Sequence, residues 1–258
     1  MITLKMCIIV FPLVFLAGFI DSVAGGGGVI SLPAFMLAGL PAYTAAGTNK
    51  FTASCGTLFA TVSYLRRGKV VLSAALISAV GSLVGSFFGT KLALSIPEQT
   101  LKYVMMGALI VVAVFLGINR NFGKTAKERK FSAPVRCLLA FAIGLVVGAY
   151  DGLIGPGTGT FLIICFTGIL GMDLITSSGC AKLSNLASGI ASAAVHIANG
   201  NVMFLLALCA AVFSIFGNIL GARYAIKGGT KNVRIIMFVV LFLIFVKFAL
   251  DALGVTTF

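Results

Sequence analysis

Apolar residues run along this chain in unbroken stretches, and what interrupts them is glycine, proline or a short basic cluster. From Cys7 to Ile20, fourteen consecutive residues carry no charge and no hydroxyl or amide side chain. A transmembrane β-barrel would instead alternate polar and apolar positions over segments of about ten residues. Continuous runs of this length predict helices. The first half predicts helices at 6–24, 29–40, 43–65, 70–94 and 101–118. The second predicts them at 136–154, 159–171, 175–197, 202–226 and 232–250. The breaks fall at Gly25 to Gly28, Arg66-Arg67-Gly68-Lys69, Pro97 and Asn199-Gly200-Asn201, all sequences that punctuate helices.

Composition turns these helices into membrane helices. Of 258 residues, 60% are hydrophobic and 10% charged, with a mean hydropathy of +1.14. Soluble domains carry about 25% charged residues, so this chain could not cover its own surface in water. At about 20 residues per span it holds roughly eight to ten segments. The fold class is an all-α polytopic membrane protein, multi-pass in the inner (plasma) membrane. The run before Ile20 has the look of a signal peptide, but Lys5 is its one flanking charge and no cleavage site follows, so it is kept as structure. With no long soluble segment, a receptor or membrane-tethered enzyme is disfavoured.

The net charge is +13, and Arg120, Lys124, Lys127, Arg129, Lys130 and Arg136 crowd one central stretch. The positive-inside rule accounts for this without nucleic acid as a partner. The six cysteines stand singly in apolar runs and there is one histidine, so neither a metal site, a cofactor nor a disulfide framework is indicated.

The chain repeats itself. Asp21 through Gly27 matches Asp151 through Gly157, and Gly47-Thr48-Asn49-Lys50-Phe51 matches Gly179-Cys180-Ala181-Lys182-Leu183. Gly68, Gly85, Gly89 and Lys91 then find Gly200, Gly217, Gly221 and Arg223. This divides the chain into a first membrane repeat (1–118), a basic cytoplasmic linker (119–134) and a second membrane repeat (135–258). If the second repeat is inverted, Arg66, Arg67, Lys69, Arg223, Lys227, Lys231 and Arg234 join the linker inside. Lys5, Lys91, Lys102 and Lys247 are then outside. A parallel arrangement places more basic residues outside than inside, so charge bias favours two inverted-topology repeats. Each repeat is a glycine-tipped helical hairpin followed by three transmembrane helices.

The hairpins carry the candidate chemistry. The run from Cys7 to Ile20 covers about 21 Å of a hydrocarbon core about 30 Å thick, so Asp21 and its equivalent Asp151 lie inside the bilayer. Irregular backbone at that depth survives only against protein or a watery cavity. Amide N–H groups at the start of each return helix carry the positive end of its dipole, and glycine lets an anion approach them. Gly25, Gly26, Gly27 and Gly28, with Gly155, Gly157, Thr158 and Gly159, are therefore candidate substrate ligands. Close helix packing is the competing use of such glycines. The run is no nucleotide loop, since it lacks the Gly-Lys-Ser/Thr ending.

Lys50 and Lys182 each sit one to two turns into an apolar helix. Insertion scales put a lysine there at about 2.5–3.5 kcal/mol unless it is paired or hydrated. Three readings stay open: snorkelling toward a helix end, an ion pair with Asp21 or Asp151, or compensation of an anionic substrate aided by Thr48, Asn49 and Asn185. Asp21 and Asp151 would repel an anion, so proton or ion coupling, or service as counter-charges to the lysines, suits them better. His196, opposite Tyr64 in the repeat, is either a loop-edge residue or a proton shuttle. Gly81, Gly85 and Gly89 form a packing ridge with no catalytic role.

Asp21 through Gly28 followed by Gly47-Thr48-Asn49-Lys50-Phe51 resembles the sulfite exporter TauE/SafE family of membrane permeases. The resemblance covers nearly the whole chain, with a departure at Cys180. It implies transport of sulfite, sulfonates or related small anions, commonly outward and coupled to an ion gradient. The expected activity is thus a secondary transporter, not an enzyme, working by alternating access around a midplane site. Its expected partners are a small anion and the lipid bilayer, with a homodimer left open. A passive anion channel built on the same repeats is the alternative.

Overall fold

Helix starts and stops follow from the residues at their ends. The computed structural model describes residues 3–101, 103–104 and 131–252, with side chains described as far as 229, that of Lys5 apart. Helix α1 (Leu4–Ala24) begins where the Thr3 side chain accepts from the Met6 amide at 3.3 Å, and it ends at Gly25, whose φ of 80° is left-handed. The return helix α2 (Gly28–Leu37) is followed by α3 (Ala42–Arg66) and α4 (Leu72–Ser95). The second series is α5 (Ala133–Leu153), α6 (Thr158–Gly168), α7 (Leu174–Ala198) and α8 (Phe204–Ala252). Asp173 caps α7 by accepting from the amides of Ile175 and Thr176, both at 3.0 Å. Gly229, at φ 63° and ψ −157°, breaks the long α8 between the two helices that the sequence predicts there. Of the predicted helix at 101–118, only residues 101, 103 and 104 are among those described.

The described residues form an all-helical protein with four helices long and apolar enough to cross a membrane: Met6–Ala24, Leu72–Ser95, Ala133–Leu153 and Phe204–Gly229. Helices α3 and α7, of 25 residues each, reach about 37 Å at 1.5 Å per residue. They are too polar for that set because their polar side chains point inward. Thr48, Thr52, Thr57, Ser177, Ser178, Lys182 and Ser184 are all buried, whereas Leu76, Phe88, Leu138, Val146, Leu205 and Phe216 on α4, α5 and α8 are exposed. Polar groups inside and large apolar ones outside is the arrangement lipid demands.

Contacts between the halves are exchanged. Helix α4 packs on α5, and α1 packs on α8, through small residues that bring backbones together. A Cβ on Gly85 or Gly148 would collide with the backbone of Leu145 or Ser82, and one on Gly217 with Phe15. Registers rise together in both pairs: Gly81, Gly85 and Gly89 meet Phe141, Leu145 and Ala149, while Gly217 and Gly221 meet Phe15 and Phe19. Helices α3 and α7 cross in the opposite sense, with Gly47 against His196, Ser54 against Gly189 and Lys69 against Gly179. Two buried clusters flank this crossing. Val10, Val14, Leu32 and Phe35 close the α1–α2 hairpin, and Ile143, Val147, Leu162 and Phe166 close the α5–α6 hairpin.

Candidate functional site

Both hairpins end at the same place. The amide of Thr160 donates to the carbonyl of Gly25 at 3.2 Å, and the Thr160 hydroxyl donates to that of Ala24 at 2.8 Å. No side chain fits where the tips touch: a Cβ on Gly159 would stand 2.6 Å from the Cα of Gly25. Glycine is needed at Gly25 twice over, because its φ of 80° is one that L side chains rarely adopt. Gly25 and Gly159 thus bring the two breaks into contact. The amides of Gly26, Gly27 and Gly157 donate to no backbone carbonyl among the described residues.

Lys50, Lys182, Asp21 and Asp151 pair across the halves. Lys50 Nζ lies 2.7 Å from Asp151 Oδ1 and donates to the Asp151 carbonyl at 2.6 Å. Lys182 Nζ lies 2.6 Å from Asp21 Oδ2 and also donates to the Asp21 carbonyl. Each lysine therefore caps the C-terminal end of a hairpin helix belonging to the other half, where the helix dipole favours a cation. Of the readings left open by the sequence, ion pairing is the one the structure adopts, and it joins Lys50 to Asp151 and Lys182 to Asp21.

The two pairs differ in access. The side chains of Lys50 and Asp151 are 12% and 4% exposed, those of Lys182 and Asp21 are 0% and 14%. A cavity of about 70 Å³ lies between the tips and the α3–α7 crossing. At roughly 10–15 Å³ per water-sized probe this is room for a small ion and a few waters. Gly25, Gly27, Gly28, Gly155, Gly157, Thr158 and Gly159 line it from the tips, joined by Asp21 and Asp151. Asn49 and Lys50 line it from α3, and Asn185 from α7.

Three residues expected at the substrate stand elsewhere. Gly26 and Lys182 are not in the lining, and Lys182 is fully buried against Asp21, which is. Thr48 faces α8, where its hydroxyl accepts from the Met203 amide at 3.0 Å. His196 is buried against Gly47 and is not in the cavity lining, with Nδ1 unpartnered.

The lining also holds polar groups that sequence reasoning did not single out: Ser31, Thr52, Ser54, Thr57, Ser214 and Asn218. Asn218 was the most legible of them, as an amide inside an otherwise apolar helix. It accepts from Ser22 at 2.7 Å and donates to the Ser214 carbonyl at 2.9 Å. Two acceptor atoms of the lining are buried without a partner, Asn49 Oδ1 and Asp151 Oδ2.

Known proteins give this architecture an affiliation. The family described as sulfite exporter TauE/SafE matches residues 10–248. A Sinorhizobium sp protein named "Probable membrane transporter protein ORF9" is 33% identical over 232 residues, 89% of this chain and 87% of that protein. "Probable membrane transporter protein YfcA" of Escherichia coli K12 is 30% identical over 246 residues, 95% of this chain and 90% of its own. A "Probable membrane transporter protein" of Haemophilus influenzae is 29% identical over 243 residues, 94% of each chain. No solved structure matches. With nearly its whole length covered, the chain belongs to the sulfite exporter TauE/SafE family of membrane transporters.

Proposed function

We propose that this protein is a secondary transporter that carries a small anion, such as sulfite, a sulfonate or a related organosulfur or inorganic anion, by alternating access around the cavity between the hairpin tips. The observation that carries this reading is Lys50: a cation 12% exposed, in the wall of a small cavity, beside two glycine-rich helix breaks. An anion there meets the Lys50 ammonium and the amides of Gly27 and Gly157, which lack backbone acceptors. Asn185, Ser54 and Thr158 supply further polar contacts. Lys182 serves the site indirectly, by holding Asp21.

Inversion of the two halves follows the same reading. What supports it is the opposite passage of α3 and α7, which are equivalent in the repeat, together with the parallel registers of α4 with α5 and α1 with α8. With the halves inverted, exposed Arg66, Arg67, Lys69, Arg136, Arg223 and Lys227 gather at one end, and Lys91 lies at the other. By the positive-inside rule that end, with the linker, is cytoplasmic in the inner membrane. Export is the direction the family description names.

Purified protein in proteoliposomes tests the reading. Counterflow of radiolabelled sulfite or methanesulfonate should saturate and should fall by about tenfold or more in Lys50→Met/Asp151→Asn, which removes the pair without leaving a lone charge. Flux that stays linear in concentration and is unchanged in this variant would overturn it in favour of a pore.

A further inference from the structure

The two ion pairs are equivalent in the repeat, yet among the described residues only the Asp151 carboxylate has a hydroxyl hydrogen-bonded to it. Thr158 stands 130 residues after Gly28, so the second hairpin carries a threonine where the first has no side chain. Thr158 Oγ1 lies 2.6 Å from Asp151 Oδ1 and 2.6 Å from the Gly155 carbonyl oxygen. A hydroxyl has one proton to donate, and a carbonyl and an ionised carboxylate have none. With Asp151 ionised, one of these two close oxygen pairs lacks a proton. A proton on Asp151 Oδ1 completes both, with Asp151 donating to Thr158 and Thr158 to Gly155, while the 2.7 Å ion pair of Lys50 with that oxygen is given up. Lys50 keeps its 2.6 Å bond to the Asp151 carbonyl throughout.

The other carboxylate oxygen points the same way. Asp151 is 3% exposed and lines the cavity, and its Oδ2 has no partner. An unpartnered oxygen costs more to bury on an ionised carboxylate than on the neutral acid. Asp21 also lines the cavity but is more exposed, has Gly28 in place of the threonine, and has its carboxylate held by the fully buried Lys182.

Charge balance supplies the link to transport. Lys50, Lys182, Asp21 and Asp151 sum to zero, so a univalent anion entering alone would leave the site with net negative charge in a poorly screened interior. The remaining neighbours do not alter that sum. From α5, Tyr150 gives its hydroxyl to the Pro156 carbonyl at 2.6 Å; α7 adds His196; α4 and α8 present Ser86, Thr90, Ser214 and Asn218. Helix α2 presents no ionisable side chain, and α6 only the free Cys165 thiol.

We propose that Asp151, relayed by Thr158, is the proton-binding carboxylate of this transporter, loading one proton with each univalent anion. This rests on the anion-site reading above and narrows its coupling residues from two aspartates to one. On loading, an O–H bond forms on Asp151 with a proton taken from water, and the anion takes over as counter-charge to Lys50. On release that O–H bond breaks, the proton returns to water at the opposite face, and Asp151 pairs with Lys50 again. Anion and proton cross together, so an outward anion gradient carries protons out with it.

The test measures protons and anions on the same purified protein. Methanesulfonate, whose charge is fixed across the working pH range, and sulfite are added to weakly buffered protein while pH and binding are recorded. Wild type should take up about one proton per methanesulfonate bound. Lys182→Met/Asp21→Asn, which keeps the charge sum at zero, should keep that ratio whatever its affinity, and Asp151→Asn should bind without proton uptake. Should Asp151→Asn fail to fold, Thr158→Val against Thr158→Ser decides: serine should keep the ratio and valine lose it. In proteoliposomes an acid-outside gradient should raise wild-type accumulation by about tenfold per pH unit of gradient.

Equal proton uptake in Asp151→Asn and wild type, equal ratios in the valine and serine variants, or accumulation driven by sodium and not by pH would each overturn the assignment to Asp151. Saturable anion binding with no proton uptake in wild type would overturn the coupling alone. Absence of any saturable anion binding would overturn the anion site itself.

Discussion

Truncating Lys50 or Lys182 strips the counter-charge from a carboxylate that the other half of the chain holds inside the protein. Breaking such a pair costs about 3–5 kcal/mol, whereas neutralising both members together is often close to neutral. Lys50→Ala should therefore lower the thermal midpoint in detergent, and Lys50→Met/Asp151→Asn should recover most of it. What the double variant should not recover is the upward shift of the midpoint given by saturating sulfite, because the cavity has lost its cation. The sealed pair behaves differently. Lys182→Met should destabilise at least as much as Lys50→Ala, since Lys182 is 0% exposed. Lys182→Met/Asp21→Asn should restore both the midpoint and the sulfite shift. If instead the Lys182 pair is the one that abolishes the sulfite shift, the assignment of Lys50 to the substrate is reversed.

At the scale of elements, the small-residue faces decide whether the halves can interlock. Gly85 and Gly217 occupy equivalent places on α4 and α8, each against the backbone of a hairpin helix from the other half. Gly85→Leu and Gly217→Leu should each push two helices apart and move the protein to the void on size-exclusion chromatography. Gly39→Ala, at a turn where nothing lies within 4 Å, should cost only the strain of a φ of 91° and elute normally. This glycine ridge was legible in the sequence, as were the helices themselves. The predicted 6–24, 43–65 and 175–197 fall within two residues of Leu4–Ala24, Ala42–Arg66 and Leu174–Ala198. Long apolar runs with Gly and Pro between them leave little choice of boundary.

Partner choice was not legible. The sequence named an ion pair between these lysines and aspartates as one reading, but Lys50 pairing with Asp151 rather than Asp21 is set by packing between residues 101 apart. For the same reason Thr48, one position from Asn49, faces α8 and not the cavity. Adjacent helical residues point about 100° apart, and sequence spacing alone does not say which of the two directions holds the ligand.

For the whole molecule, exchange between the halves matters more than either half. Neither hairpin can satisfy its own aspartate: Asp21 depends on Lys182 from α7, and Asp151 depends on Lys50 from α3. The charged centre is therefore complete only when the two halves are interlocked, and the opposite passage of α3 and α7 makes that exchange reciprocal. The same geometry fixes where loops must lie. Arg67 follows the end of α3 and Asn199 the end of α7, and both are exposed. In a variant with the six native cysteines replaced, Arg67→Cys and Asn199→Cys should react with a membrane-impermeant maleimide from opposite faces of sealed right-side-out cells. Asn199→Cys should label in intact cells, and Arg67→Cys only after permeabilisation. Labelling of both from one face would align α3 and α7 in the same direction. Lys50 and Lys182 could not then reach the aspartates of opposite hairpins, and the shared cavity would have no basis.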